Sequence, residues 1–213
     1  MSYEYLTWAL GKGRLAKKTM ELLGMLGIHC EEVMDPDTRK LIFTNEELKM
    51  KFFLAKGPDV PTYVELGAAD IGVVGLDTIH EENRDVKEIL DLGFGKCRMC
   101  VCGYEDSAHK LKDHSQIRVA TKYPRIAGDY FYRKKQQTVE LIKLNGSVEL
   151  GPIVGVADVI VDIVETGSTL KENGLSVLET VMDLSARMIV NPVSMKLENR
   201  RINDIASRLK EII

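Results

Sequence analysis

No apolar run in this chain approaches the ~20 residues that a helical membrane span needs. The start, Met1-Ser2-Tyr3-Glu4-Tyr5, lacks the charged and apolar stretches of a secretory leader. The expectation is a cytoplasmic chain with no membrane partner. There is no basic excess either: 29 Lys and Arg against 32 Asp and Glu leave a net charge of −3, so no global field recommends nucleic acid. Cysteine is scarce, with four among 213 residues: Cys30, Cys97, Cys100 and Cys102. In the expected compartment these are thiols rather than disulfides. Cys97-Arg-Met-Cys100-Val-Cys102 has metal-like spacing, but no second cluster accompanies it, and the four histidines are scattered. On a strand, Cys100 and Cys102 share one face and Cys97 takes the other, which suits small buried residues. No Ser-His-Asp or Cys-His constellation supplies a nucleophile.

What is present is a globular composition, 45% hydrophobic and 29% charged, with material for a sizeable core. The length allows one large domain or two small ones. The most informative stretch runs from Asp158 to Leu170. Val159, Ile160, Val161, Ile163 and Val164 make an apolar, β-branched run that suits a strand covered on both faces. It breaks into Glu165-Thr166-Gly167-Ser168-Thr169, with Ser168 or Thr169 placed to cap a helix beginning at Leu170. A strand, a Gly/Ser/Thr turn and a helix start together form an anion cradle. An ordinary capped turn explains Gly-Ser-Thr alone. Asp162 and Glu165 shift the balance, because acids beside a phosphate nest need ribose hydroxyls or Mg²⁺ to bridge them. The combination suggests a phosphorylated sugar.

Along the chain, Leu6–Leu10 reads as a strand and Leu15–Leu26 as an amphipathic helix, with Gly11-Lys12-Gly13-Arg14 between them. Two glycines and two cations suit a polyphosphate there, although the spacing is not that of a Walker loop. Ile28 to Phe43 suggests short strands around the turn Asp35-Pro36-Asp37. Further strands are expected at Lys51–Ala55, Asp70–Gly75, Val86–Leu92, Cys97–Cys102, Ile117–Thr121, Val139–Ile142 and Ser147–Leu150. Short helices are expected over Thr62–Leu66, capped by Asp59, over Asp77–Asn83, and after Pro124. Ser176–Val190 holds one or two strands, and Ser194–Ile213 is an amphipathic helix. This alternation argues α/β. Gly93–Lys96 reads as the crossing into a second domain, with the last helix returning to the first. The expected division is 1–92 plus 171–213 for domain I and 93–170 for domain II.

The run Glu149-Leu-Gly-Pro-Ile-Val-Gly155-Val-Ala157-Asp-Val-Ile160-Val-Asp162-Ile-Val-Glu-Thr166-Gly167-Ser-Thr169-Leu170 resembles the signature of the ATP phosphoribosyltransferases of histidine biosynthesis, in their short form. Supporting blocks are Gly11-Lys12-Gly13-Arg14-Leu15, Asp59-Val60-Pro61-Thr62-Tyr63-Val64-Glu65, Gly95-Lys96-Cys97-Arg98 and Thr121-Lys122-Tyr123-Pro124. The resemblance covers essentially the whole chain. It implies a two-domain fold like that of periplasmic binding proteins, with a ligand cleft between the domains. It implies that N1 of ATP attacks C1 of 5-phosphoribosyl pyrophosphate and pyrophosphate leaves. Under it, Asp162 and Glu165 are the catalytic candidates. Lys12, Asp158, Thr166, Gly167, Ser168, Thr169 and Leu170 are assigned to phosphoribosyl pyrophosphate. Gly11, Gly13, Arg14, Lys56, Lys96, Arg98 and Lys122 are assigned to ATP. Lys56 stands where the family often carries arginine, and lysine supplies charge without a bidentate fork. Mg²⁺ is the implied cofactor, carried by the substrate. The chain ends after its amphipathic helix, where the long form continues into a histidine-binding domain. The implied partner is therefore a regulatory subunit resembling histidyl-tRNA synthetase, in a hetero-octamer. The alternative is a non-catalytic small-molecule sensor of the same fold.

Overall fold

The computed structural model describes residues 4–35, 38–113 and 115–213. Five strands come first: β1 (Leu6–Gly11), β2 (Ile42–Asn45), β3 (Met50–Ala55), β4 (Ile71–Gly75) and β5 (Lys87–Asp91). Five more follow the crossing: β6 (Cys97–Gly103), β7 (Ile117–Thr121), β8 (Val139–Lys143), β9 (Val159–Val164) and β10 (Ser176–Leu184). The last, β11 (Ala186–Val190), returns to the first sheet. The chain divides into two compact units, Met1–Gly95 with Ser185–Ile213, and Lys96–Leu184.

The first unit holds a sheet of order β2-β3-β1-β4-β11-β5. β1 lies between parallel β3 and β4. Leu6, Trp8, Ala9 and Leu10 are fully buried, as a strand covered on both faces requires. The helix Arg14–Met25 turns Ala16, Thr19, Met20 and Leu23 inward, and Met20 and Leu23 join the core of Trp8, Phe52 and Ile71. It ends at Gly27, whose φ of 82° allows Gly27 N–H to reach Gly24 O and Ile28 N–H to reach Leu23 O. The helix Asn199–Lys210 buries Ile202, Ile205 and Leu209 in the same core. A separate short turn, Ser194–Leu197, precedes it. Among the described residues no helix is long and apolar enough to cross a membrane.

The second unit holds a sheet of order β10-β6-β9-β7-β8, with β9 antiparallel to β6 and parallel to β7. The helix Pro124–Gly128 runs on into a π-helical turn, Asp129–Lys134, that buries Phe131.

Several details differ from the expectations. The stretch before Asp35 forms a short 3₁₀ turn, Glu31–Met34, and not a strand. Ser147–Leu150 forms no strand. Ser147 takes φ 47°, Leu150 N–H donates to Ser147 O, and the chain curls into a short helix, Leu150–Ile153. The second crossing falls after Leu184 rather than at 171. β10 pairs with β6 from Ser176↔Gly103 to Leu184↔Cys97, and Leu170 and Leu175 pack in the second unit's core. The one or two strands expected over Ser176–Val190 are two, β10 and β11, and two register shifts along β10 break its period-two pattern. Asp59 makes no side-chain cap; a short 3₁₀ turn, Gly57–Asp59, leads into the helix Val60–Glu65 instead. The turn expected at Asp35-Pro36-Asp37 lies partly outside the described residues, since Pro36 and Asp37 are not among them.

Candidate active site

β9 carries its apolar residues to the buried Val164 and then stops, because Glu165 and Thr166 are exposed and Gly167 turns left-handed at φ 79°, ψ 7°. The helix Ser168–Glu172 begins at once, and Lys171 N–H donates to Gly167 O over 3.1 Å. Leu170 is buried beside Val164 and Leu175 and pins the turn to the core. The cap is thus Gly167 and not Ser168 or Thr169, and no side chain caps the helix. Thr166 Oγ1 and Ser168 Oγ lie 3.1 Å apart, and Ser168 N–H leans 3.4 Å toward Thr166 Oγ1. The hydroxyls of Thr166, Ser168 and Thr169 stay on the surface.

A pocket of about 250 Å³ lies over this turn, lined by the run from Asp162 to Leu170 and by Glu149. Asp162 is half-buried on β9, opposite Cys100 on β6. Burial raises its carboxyl above the usual range and the charge of Glu149 adds to this, while Lys122 acts the other way. The thiols of Cys100 and Cys102 lie in the core beneath, and burial pushes Cys102 up to about 12, so it is no nucleophile.

Asp158 does not join this pocket. It stands at the other end of β9, roughly 20 Å from Val164 at the usual rise per residue. Its Oδ1 accepts from Lys110 Nζ at 2.7 Å, and its Oδ2 accepts from the Arg118 N–H at 2.9 Å and Nε at 3.3 Å. Burial works against the charge, but these hydrogen bonds prevail and hold the carboxyl at about 2. Asp158 organises a corner of the unit rather than the turn.

The remaining expected residues divide between the units. In the first, Gly11 pairs with Ala55 where parallel β1 and β3 end. A Cβ on Gly11 would sit 3.6 Å from Gly57 Cα, so Gly11 and the Lys56-Gly57 turn are neighbours. Gly13 takes φ 97° and leads into the helix at Arg14. Lys12 lines a second pocket of about 470 Å³ together with Arg39 and Lys40. In the second unit, Arg98 pairs with Val164 at the end of β9, and Lys122 follows Thr121 at the matching end of β7. Lys96 opens this unit. Sequence reasoning missed Glu149, Arg39 and Lys40. Glu149 had a signal, since it stands first in the signature run. Arg39 and Lys40 carried only their charge.

The sequence profile of the family described as HisG: ATP phosphoribosyltransferase matches residues 56–211. An ATP phosphoribosyltransferase from Lachnoclostridium phytofermentans is 66% identical over 211 residues, covering 99% of this chain and 98% of that one. The solved ATP phosphoribosyl transferase (HisG:HisZ) complex from Thermotoga maritima contains a chain that superposes with a TM-score of 0.80 at 32% identity, covering 97% of this chain and 98% of that one. The periplasmic aliphatic sulphonate binding protein SsuA from Escherichia coli shares the fold at a TM-score of 0.62 and 14% identity, covering 98% of this chain and 72% of that one. The two-sheet architecture is therefore that of the periplasmic-binding-protein class. With near-complete coverage at such identity, and a profile match that includes the whole turn, the chain belongs to the ATP phosphoribosyltransferase family.

Proposed function

We propose that the pocket over Asp162–Leu170 holds the phosphoribosyl group that this pentosyltransferase moves from 5-phosphoribosyl pyrophosphate to N1 of ATP, the first step of histidine biosynthesis. The observation that carries the assignment is the left-handed Gly167 at the end of β9. Thr166, Gly167, Ser168 and Thr169 line one small pocket there. Such a turn suits a phosphate. Asp162 and Glu165 then face the sugar.

The chemistry asks little of the protein beyond placement and charge. C1 of the donor gains positive character as pyrophosphate departs, and adenine N1 closes on it. A carboxylate beside C1 stabilises that charge, and fixed donors hold the leaving group. Lys12, Arg14, Lys56, Lys96, Arg98 and Lys122 are the cations proposed for the pyrophosphate and the triphosphate.

Mg²⁺ is proposed as a passenger on the substrate. Among the described residues no group of three His, Cys, Asp or Glu side chains stands together to cage a metal. Asp162 and Glu149 offer hard oxygens to an ion whose other ligands are phosphate oxygens and water, which fits the way Mg²⁺ is usually held. When bound there, the ion would neutralise the departing pyrophosphate.

The Thermotoga maritima relative is solved as a HisG:HisZ complex. We extend this to the present chain: a regulatory subunit resembling histidyl-tRNA synthetase activates it in the cytoplasm and conveys inhibition by histidine. A partner that binds two conformations unequally shifts their populations by the difference in affinity. Turnover should be followed by the absorbance of the phosphoribosyl-ATP product, for the chain alone and in a stoichiometric mixture, each with and without histidine. Activity in the mixture that histidine suppresses supports the reading. Full activity and full histidine sensitivity in the isolated chain would rule out the two-subunit arrangement.

A further inference from the structure

Thr121 ends β7 and is fully buried, and its hydroxyl bonds in two directions. Thr121 Oγ1 donates to Val161 O over 2.7 Å and accepts from the Tyr123 N–H at 2.8 Å. The pairing of β7 with both neighbours stops at this residue, Thr121↔Val161 on one side and Thr121↔Lys143 on the other. Exposed Lys122 comes next, then Tyr123, and the helix Pro124–Gly128 starts at once. No ladder holds Lys122. The Thr121 hydroxyl does so instead, by fixing the peptide that follows it. The other partner, Val161, stands one residue before Asp162 on β9, a strand paired on both edges with β6 and β7. One buried hydroxyl thus ties the loop that carries a cation to the strand that carries a carboxylate. The charge of Lys122 reaches Asp162 across that tie. Lysine is a point charge on a flexible stem, so a fixed backbone beneath it limits where the charge can go.

We infer that Thr121 is a positioning residue for phosphoribosyl transfer, whose hydroxyl holds Lys122 in place relative to Asp162. The inference rests on the roles proposed for Lys122 and Asp162 and deepens them: the cation meets the leaving pyrophosphate and the carboxylate stands beside C1. β9 is the fixed side of the tie, because its neighbours hold it whether or not the hydroxyl is there. The loop after β7 is the side that drifts when the hydroxyl is lost. A misplacement of about 1 Å is enough to slow such a reaction by up to about 100-fold.

The test is a double-mutant cycle in turnover, run in whichever form carries the activity, chain alone or stoichiometric mixture. Thr121→Val keeps the shape and removes both hydrogen bonds, and kcat should fall about tenfold. Thr121→Ser keeps the hydroxyl and should recover most of the loss. Lys122→Met should also slow turnover. Adding Thr121→Val to Lys122→Met should then cost little more, because the group that the hydroxyl positions has already gone. A variant that merely unfolds more would lose the same fraction in either background, so the cycle separates positioning from stability. Equal losses from Thr121→Val with and without Lys122, native turnover in Thr121→Val, or no recovery in Thr121→Ser would overturn the inference and leave the role of Lys122 standing. Native turnover in Lys122→Met would overturn that role and the inference with it.

Discussion

Gly151 lies so close to Ala120 that a Cβ built on Gly151 would meet the Ala120 Cβ at 2.9 Å, with Ala157 Cβ at 3.3 Å. The contact presses the short helix Leu150–Ile153 onto β7 and so sets where Glu149 stands. Neither neighbour is a flexible side chain that can swing away. Gly151→Ala should therefore force a backbone shift and cost about 1–3 kcal/mol, the usual range for overpacking. Chemical denaturation would show this as a lower midpoint with an unchanged slope. An unchanged midpoint would mean that the helix moves freely on β7.

Asp158 should make folding acid-sensitive. Its carboxyl is held at about 2, against about 3.9 in an unfolded chain. The unfolded state binds the proton more readily, so the stabilisation is present above about pH 4 and fades as pH falls toward 2. The group is mostly shielded, with its side chain 17% exposed, which puts the effect at about 1–2 kcal/mol. Urea midpoints measured from pH 6 to pH 3 should fall less steeply for Asp158→Asn than for the native chain. Parallel slopes would remove Asp158 from the account.

Asp162 should behave in the opposite sense. Its carboxyl is raised by burial and by Glu149, so its charge opposes folding at neutral pH. Asp162→Asn should keep or raise the melting temperature while turnover falls. A large loss of stability with normal turnover of the folded fraction would make the residue structural.

Much of this was legible from the residues. β9, the Gly167 turn and the amphipathic helix Arg14–Met25 followed from β-branched runs, a glycine and helical spacing, which are local signals. Cys100 and Cys102 fall on one face of β6 in the core, as alternation required. What was hidden depends on partners distant in sequence. β10 keeps its place by pairing with β6 through two register shifts, and those shifts erase its pattern. Ser147–Leu150 has strand-like residues, but Gly151 packs against Ala120, and that contact favours a turn. Asp158 belongs to the signature run, yet its charge is taken by Lys110 and Arg118, which no spacing near Asp158 announces.

The assignment of the phosphate turn is the centre of the account, and binding of 5-phosphoribosyl pyrophosphate by turn variants tests it most directly. Dissociation constants should be measured by calorimetry for native protein, Thr169→Ala and Gly167→Val, with ATP as the control ligand. Thr169→Ala removes a hydroxyl contact to a charged oxygen and should weaken the donor by roughly 1.5–3 kcal/mol. Gly167→Val must force a β-branched residue to φ 79° and should weaken it further. ATP affinity should hold in both. Unchanged affinity for 5-phosphoribosyl pyrophosphate in the two folded variants would contradict the assignment and move the phosphate elsewhere.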